Sequence, residues 1–152
     1  MPAPLFSARL SNGEPFHLSD HRGKRNVVLF FYPRDFTPGC TREVCLYRDH
    51  YGLLTQFNIV LIGVSYDDES SHQRFAKVHD LPFPLISDTD RSLSRLYGVA
   101  RLGGLIPFVR RVTFVIDTRG VIQRVSHHET AVDLHVQEVE ETLRTLSGSE
   151  GG

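Results

Sequence analysis

The residues Val27 to Tyr32, following Asn26, are all apolar, β-branched or aromatic, and the run (NVVLFFY) ends against Pro33. A run of this kind has no polar face to offer water, so it fits a strand covered on both faces. Pro33 then ends the strand, because proline cannot donate to a ladder. Four residues further on, Thr37 is a favoured N-cap type and Pro38 suits the first helical position. Cys40 therefore falls at the third helical position, beside unpaired backbone N–H groups and the positive end of the helix dipole. That environment favours thiolate over thiol, and a thiol so placed is set to react.

The one other cysteine, Cys45, lies five residues on. On an ideal α-helix five residues turn roughly 140° and rise about 7.5 Å, which sets the two Cα atoms about 8.6 Å apart. A disulfide needs less than about 7 Å. If these sulfurs join, the first turns of the helix unwind. The spacing suggests a thiol pair working through two conformations rather than a static staple.

With 152 residues, 40% hydrophobic and 23% charged, the chain is expected to form one globular domain over 1–152, with 147–152 as a disordered tail. A net charge of −1, with 17 basic residues scattered among acids, argues against a nucleic-acid or anionic-membrane partner. No apolar run approaches the ~18 residues of a membrane span. Met1-Pro2-Ala3-Pro4 opens no signal peptide, so the expected compartment is the cytoplasm. In a reducing compartment, two cysteines point to catalytic or redox chemistry.

The remaining pattern alternates. Leu5 to Leu10 suits a short strand turning at Asn12-Gly13, followed by polar loop to Lys24. Strand Asn26–Tyr32 precedes a helix from Pro38 to Phe57, then a second buried strand, Asn58–Ser65. Asp67-Asp68-Glu69 starts a helix that carries His72, Phe75 and Val78 on one face until Asp80. Leu81 to Ile86 is extended, Asp88 or Thr89 caps a shorter helix to Tyr97, and Gly98 closes it. Arg101 to Phe108 reads as loop. Val112–Asp117 and Val121–Val125 form a hairpin about Thr118-Arg119-Gly120, and Ala131 to Leu146 is a last amphipathic helix.

Pro33-x-x-x-Thr37-x-x-Cys40 resembles the active-site motif of the peroxiredoxins, and Cys40-Thr41-Arg42-Glu43-Val44-Cys45 resembles more narrowly their Q-type branch, the bacterioferritin-comigratory-protein class. Arg111-Val112-Thr113-Phe114-Val115-Ile116-Asp117 is similar to the strand that carries that family's active-site arginine. Three matches in order across most of the chain are more specific than any one alone. The resemblance implies a thioredoxin-like α/β fold, a central mixed β-sheet flanked by helices with an N-terminal extension. The element order, strand–helix–strand and then a hairpin and closing helix, agrees.

The resemblance also implies a thiol-dependent peroxidase for hydrogen peroxide and organic hydroperoxides. Cys40 would be the peroxidatic thiolate and Cys45 the resolving thiol, joined in an intramolecular disulfide that thioredoxin or a glutaredoxin-like dithiol donor reduces. No metal, haem or flavin cofactor is implied. A covalent dimer through a C-terminal cysteine is not expected, and many relatives of this type are monomers. Two other readings share the thiol pair: a thiol–disulfide oxidoreductase, against which Cys-x4-Cys stands in place of Cys-x2-Cys, and a non-enzymatic redox sensor or holdase.

Each residue has a plainer role to set beside the chemical one. Cys40 or Cys45 could simply pack in a core. Thr37 could be only a cap, contributing roughly 1 kcal/mol, while the resemblance adds a hydrogen bond to thiolate or peroxide. Pro33 ends a strand, and the resemblance adds screening of Cys40 from water. Glu43 shares the helix face of Cys40 and reads as part of a network holding an arginine, or else as a surface glutamate. Register with the family's Arg-x-Thr-Phe pattern selects Arg111 as the charge that favours the thiolate, while strand alternation leaves Arg110 open. His127, His128 and His135 with Glu129 lack metal-ligand spacing and are not read as a metal site.

Overall fold

In the computed structural model the backbone is described for residues 1–103 and 106–151, and the side chains for residues 1–100 and 109–147. An antiparallel hairpin opens the chain, β1 (Ser7–Arg9) and β2 (Pro15–His17), turned where Gly13 takes a φ of +87°. Then come β3 (Asn26–Phe31), α1 (Pro38–Leu54) with a 3-10 turn over Thr55–Phe57, β4 (Ile59–Ser65) and α2 (Glu69–Val78). β5 (Leu85–Ser87), α3 (Ser92–Leu96) and a hairpin of β6 (Ala100–Gly103) with β7 (Ile106–Val109) follow. The chain closes with β8 (Val112–Ile116), β9 (Ile122–His127) and α4 (Asp133–Gly151).

Five strands make one mixed sheet in the order β5-β4-β3-β8-β9. β3 is central, parallel to β4 and antiparallel to β8, and every one of its residues is buried. The pleat sends Val27, Leu29 and Phe31 to one face, where Leu10, Phe16, Leu18 and Leu93 cover them. Val28, Phe30 and Tyr32 face the other way onto Val44 and Tyr47 of α1, Phe75 of α2, and Val139 and Leu143 of α4. Each such side chain contributes roughly 1.5–3 kcal/mol on burial. Phe30 stacks on Tyr47 at 4.4 Å between ring centroids. Gly63 makes room for that ring, since a Cβ there would stand 2.7 Å from Phe30 Cζ. The stack fixes α1, and with it Cys40, against the sheet. Among the described residues no helix is long and apolar enough to cross a membrane.

Three expectations differ from what is found. The segment read as loop from Arg101 to Phe108 holds the paired strands β6 and β7, with residues 104 and 105 outside the described set. Pro107 is compatible with that pairing because a two-stranded ribbon leaves one edge free of ladder bonds. Val78 is 65% exposed, although His72 and Phe75 are fully buried. Six residues of helix turn roughly 240° from His72, which points Val78 to solvent and leaves His79 on the covered face. The tail expected at 147–152 is helical as far as Gly151. No proline interrupts α4, and a glycine weakens a helix by only about 1 kcal/mol.

Candidate active site

Cys40 stands where β3 empties into the first turn of α1. Tyr32 still pairs through its N–H with Val64 O at 3.0 Å; Pro33 then leaves the sheet, and Thr41 N–H donates to Thr37 O at 2.8 Å, the first helical bond. Pro38 occupies the first turn, so Gly39 and Cys40 present N–H groups with no partner inside the helix. Thr37 caps α1 with its backbone alone. Its hydroxyl donates to Arg34 O at 2.9 Å, not to a helical N–H as a capping threonine would. Phe36 takes a φ of +63° and folds the loop back on itself, which brings the Arg34 carbonyl to that hydroxyl.

The Cys40 side chain is fully buried, and Arg111 Nη1 donates to its Sγ at 3.3 Å. Arg111 precedes β8, whose Val112 pairs with Phe31, so it reaches the same end of the sheet as the loop leaving β3. Of the two adjacent arginines, it is Arg111 that arrives at the sulfur. The same Nη1 donates to Glu43 Oε1 at 2.8 Å, and Nε donates to Glu129 O at 3.1 Å. A methyl on Gly39 would come 3.2 Å from Arg111 Nη2, so glycine leaves the guanidinium its place. Burial works against the Arg111 charge, yet Cys40 and Glu43 beside it hold its pKa above the ordinary value.

Glu43 is fully buried, which removes the surface-glutamate reading. Burial pushes its carboxyl up to about 7 despite Arg111. Its Oε2 has no hydrogen-bond partner and lies 3.9 Å from His135 Nδ1. His135 Nε2 must donate to His128 O at 2.8 Å, leaving Nδ1 to accept from Thr113 Oγ1 at 2.9 Å. Tyr47 OH can then donate to Thr113 Oγ1 at 2.9 Å. Burial pushes His135 down to about 4, in keeping with a neutral ring.

These two groups oppose each other in acid. Protonated Glu43 favours the folded state, a contribution complete below its ordinary 4.5 and lost as pH rises through about 7. Neutral His135 favours the folded state above its ordinary 6.5, a contribution lost as pH falls through about 4. Glu43→Gln should therefore leave the His135 slope unopposed. Its thermal midpoint, followed by circular dichroism, should fall more steeply than that of the unsubstituted protein between pH 6.5 and 4. Parallel curves would mean that Glu43 stays ionised across that range.

On the other side of the loop a second buried network pins residues 32–35, and nothing in the local sequence pattern announces it. Asp35 accepts from Tyr32 OH at 2.6 Å and Ser71 Oγ at 2.8 Å, and meets His72 Nδ1 at 2.7 Å. Its backbone N–H donates to Asp67 Oδ2 at 2.8 Å. Asp35, Asp67 and His72 place their ligand atoms within 4.8 Å of one another. The His72 nitrogens are already engaged, by Asp35 and by Ile86 O at 3.0 Å, so the cluster reads as a loop anchor. His127 and His128 pair with Glu129 and Glu138. Cys45 is half-buried on the unbroken α1, and neither cysteine is bonded to the other.

The sequence pattern of the AhpC/TSA family matches residues 1–125. A bcp-named peroxiredoxin of Coxiella burnetii is 42% identical over 141 residues, covering 90% of this chain and 92% of its own. Peroxiredoxin Q of Populus jackii chloroplasts is 38% identical over 144 residues, covering 94% of this chain but 66% of its own length. The crystal structure of peroxidoxin BcpB from Mycobacterium tuberculosis superposes with a TM-score of 0.88 at 35% identity, over 95% of each chain. The fold is thus thioredoxin-like, and the class that unites this sheet with a thiol under a guanidinium is that of the thiol-dependent peroxidases. The chain belongs to the AhpC/TSA family, within its peroxiredoxin Q, or Bcp, branch.

Proposed function

We propose that Cys40 is the peroxidatic residue and Cys45 the resolving one, a reading carried above all by the 3.3 Å contact from Arg111 Nη1 to Cys40 Sγ. The Cys40 thiolate attacks the O–O bond of hydrogen peroxide or an organic hydroperoxide. An S–O bond forms, the O–O bond breaks, and the departing oxygen leaves as water or alcohol after taking a proton. Arg111 meets the charge that builds on that oxygen. Thr37 has given its hydroxyl hydrogen to Arg34 O, so its lone pairs are available to accept from the peroxide O–H. Glu43 and Glu129 orient the guanidinium, and Pro33 screens the thiolate from water. Cys45 then condenses with the Cys40 sulfenic acid, releasing water and forming the disulfide.

A dithiol donor of the thioredoxin or glutaredoxin kind restores both thiols, and no metal or organic cofactor takes part. The reading also carries a cytoplasmic monomer with no nucleic-acid or membrane partner. The two free thiols suit a reducing compartment, and the net charge of −1 suits the absence of a polyanionic partner.

The test follows from geometry. Both cysteines ride on one unbroken helix, where ideal spacing sets their Cα atoms about 8.6 Å apart, beyond disulfide reach. One equivalent of hydrogen peroxide should give a Cys40–Cys45 disulfide by mass spectrometry. In the same sample, amides from Thr41 to Arg48 should lose protection from hydrogen exchange while β4 keeps its own. A disulfide formed with helix protection unchanged would remove both residues from the positions given to them here.

A further inference from the structure

We infer that His79 is a catalytic residue of the resolving step, the base that takes the proton from Cys45. The inference rests on Cys45 being the resolving thiol. His79 Nδ1 lies 3.8 Å from Cys45 Sγ, within hydrogen-bond range for sulfur. The ring is held in place. It packs edge-on against the buried Phe75 at 5.1 Å between centroids, and the His79 carbonyl accepts from Arg48 Nη1 at 2.8 Å.

The position has a chemical logic. Cys45 sits in the third turn of α1, too far from the helix start to share the unpaired N–H groups and the dipole that lie beside Cys40. Only a thiolate attacks a sulfenic sulfur at a useful rate. His79 is the C-cap of α2, beside the last carbonyls of that helix, where the helix dipole carries its partial negative charge. Proton transfer from Cys45 to His79 therefore leaves each charge in a supporting place. Arg48 of α1 stands beside both members of the pair, donating to the His79 carbonyl and acting on Cys45 by its charge, and is itself paired with Asp49 at 3.0 Å with Asp80 nearby. Arg48 assists the thiolate by its charge but cannot accept a proton.

The step balances. His79 takes the Cys45 proton, and the thiolate attacks the Cys40 sulfenic sulfur. The S–S bond forms as the S–O bond breaks. The departing hydroxide regains the proton from the imidazolium, or from solvent once α1 has opened, and leaves as water. Cys45 is oxidised and the sulfenic sulfur reduced, with no further reactant. His79 also faces the loop before α1, since the Phe36 ring lies 6.4 Å from its own. The base thus stands beside both the loop before α1 and the resolving thiol while the helix is still wound.

The test uses His79→Gln, which keeps a polar side chain of similar reach but cannot titrate near neutrality. In a Cys40→Ser background, alkylation of Cys45 by iodoacetamide is followed from pH 6 to 9.5. With His79 present, the reaction at pH 7 should be at least about tenfold faster than with glutamine, and the two rates should converge well above the ordinary thiol range. In the two-cysteine protein, His79→Gln should slow conversion of sulfenic acid to disulfide by a similar factor and raise the yield of Cys40 sulfinic acid under excess peroxide. A purely structural role would shift the thermal midpoint and leave the pH profile where it was. Identical alkylation profiles would overturn the inference. A protein that consumes peroxide and forms its disulfide at the same rate with glutamine would overturn it alone, leaving the peroxidase reading intact. Failure to form any Cys40–Cys45 disulfide with His79 in place would overturn the resolving role beneath it.

Discussion

Cys40→Ser should consume no peroxide above the uncatalysed background, whatever dithiol donor is supplied. A serine hydroxyl is not appreciably ionised near neutral pH, and one guanidinium and a helix start do not close that gap. The fold should survive the change. Serine is close in size to cysteine, and its oxygen can accept the Arg111 N–H that the sulfur accepts at 3.3 Å. Cys45 remains but offers no substitute. It lies two turns along α1, away from the unpaired N–H groups at the helix start and from the Arg111 guanidinium. Stopped-flow mixing of reduced protein with hydrogen peroxide, and separately with an alkyl hydroperoxide, reads the effect directly. Turnover near that of the unsubstituted protein would move the chemistry to another residue and end the assignment of Cys40.

What the sequence reveals here is what short stretches decide for themselves. Val27 to Tyr32 admits no partly solvated placement, and Pro33 and Pro38 bracket the turn, so β3 and the start of α1 fall within a residue of expectation. Cys40 is legible for the same reason. Arg111 needed the Arg-x-Thr-Phe register, because period-2 alternation alone does not choose between neighbours. Partners brought in from far along the chain are harder to see. Glu43 sits on a helix face that could have met water, and only the closing of β8 and α4 over it makes it buried. Glu129 appeared among the histidines as a discounted metal ligand and proves to hold Arg111 twice, its carbonyl accepting from Nε at 3.1 Å and its carboxylate from the Arg111 backbone N–H at 3.3 Å. The anchor of Asp35 by His72 joins residues 37 apart. The β6–β7 hairpin was hidden by its glycines and Pro107, which favour a loop in any local reading. Val78 was misplaced because a spacing of three drifts off the helix face: six residues from His72 turn roughly 240°, so Val78 meets solvent.

The loop between β3 and α1 is therefore held firmly on one side and loosely on the other. Ser71 and His72 of α2, with Asp67 just before it, hold Asp35 by bonds of 2.7–2.8 Å, and Tyr32 OH joins the same carboxylate at 2.6 Å. Beyond them, Phe36 is 46% exposed with a positive φ, and the first turn of α1 contains Pro38 and Gly39, which add little helix propensity. Unwinding can thus begin after Asp35 without dismantling the anchor. The resistance comes from Tyr47, fully buried against Phe30 and bonded to Thr113. On the proposed mechanism, opening is therefore expected to be confined to the segment that lets Cys45 travel to Cys40, while the strand that positions the site stays whole.

Arg111→Ala should slow peroxide reduction by roughly 10²-fold or more, the scale of removing one preorganised donor from a developing oxyanion. The guanidinium serves three directions at once: Cys40 Sγ at 3.3 Å, Glu43 Oε1 at 2.8 Å and Glu129 O at 3.1 Å. Arg111→Lys should recover only part of the rate, since an ammonium is a point charge without the planar fork that reaches all three. Removing one partner of a buried ion pair can also destabilise the fold by about 3–5 kcal/mol, and slow turnover could then reflect unfolding. Glu43 limits that effect, because its carboxyl, already pushed up to about 7, can take a proton when Arg111 is gone. The double variant Arg111→Ala with Glu43→Gln separates the two causes: it removes the orphaned charge yet should stay as slow as Arg111→Ala alone. Recovery of rate in the double variant would assign the defect to stability. Normal rates in Arg111→Ala beside slow rates in Arg110→Ala would show that the neighbouring arginine carries the charge that activates Cys40.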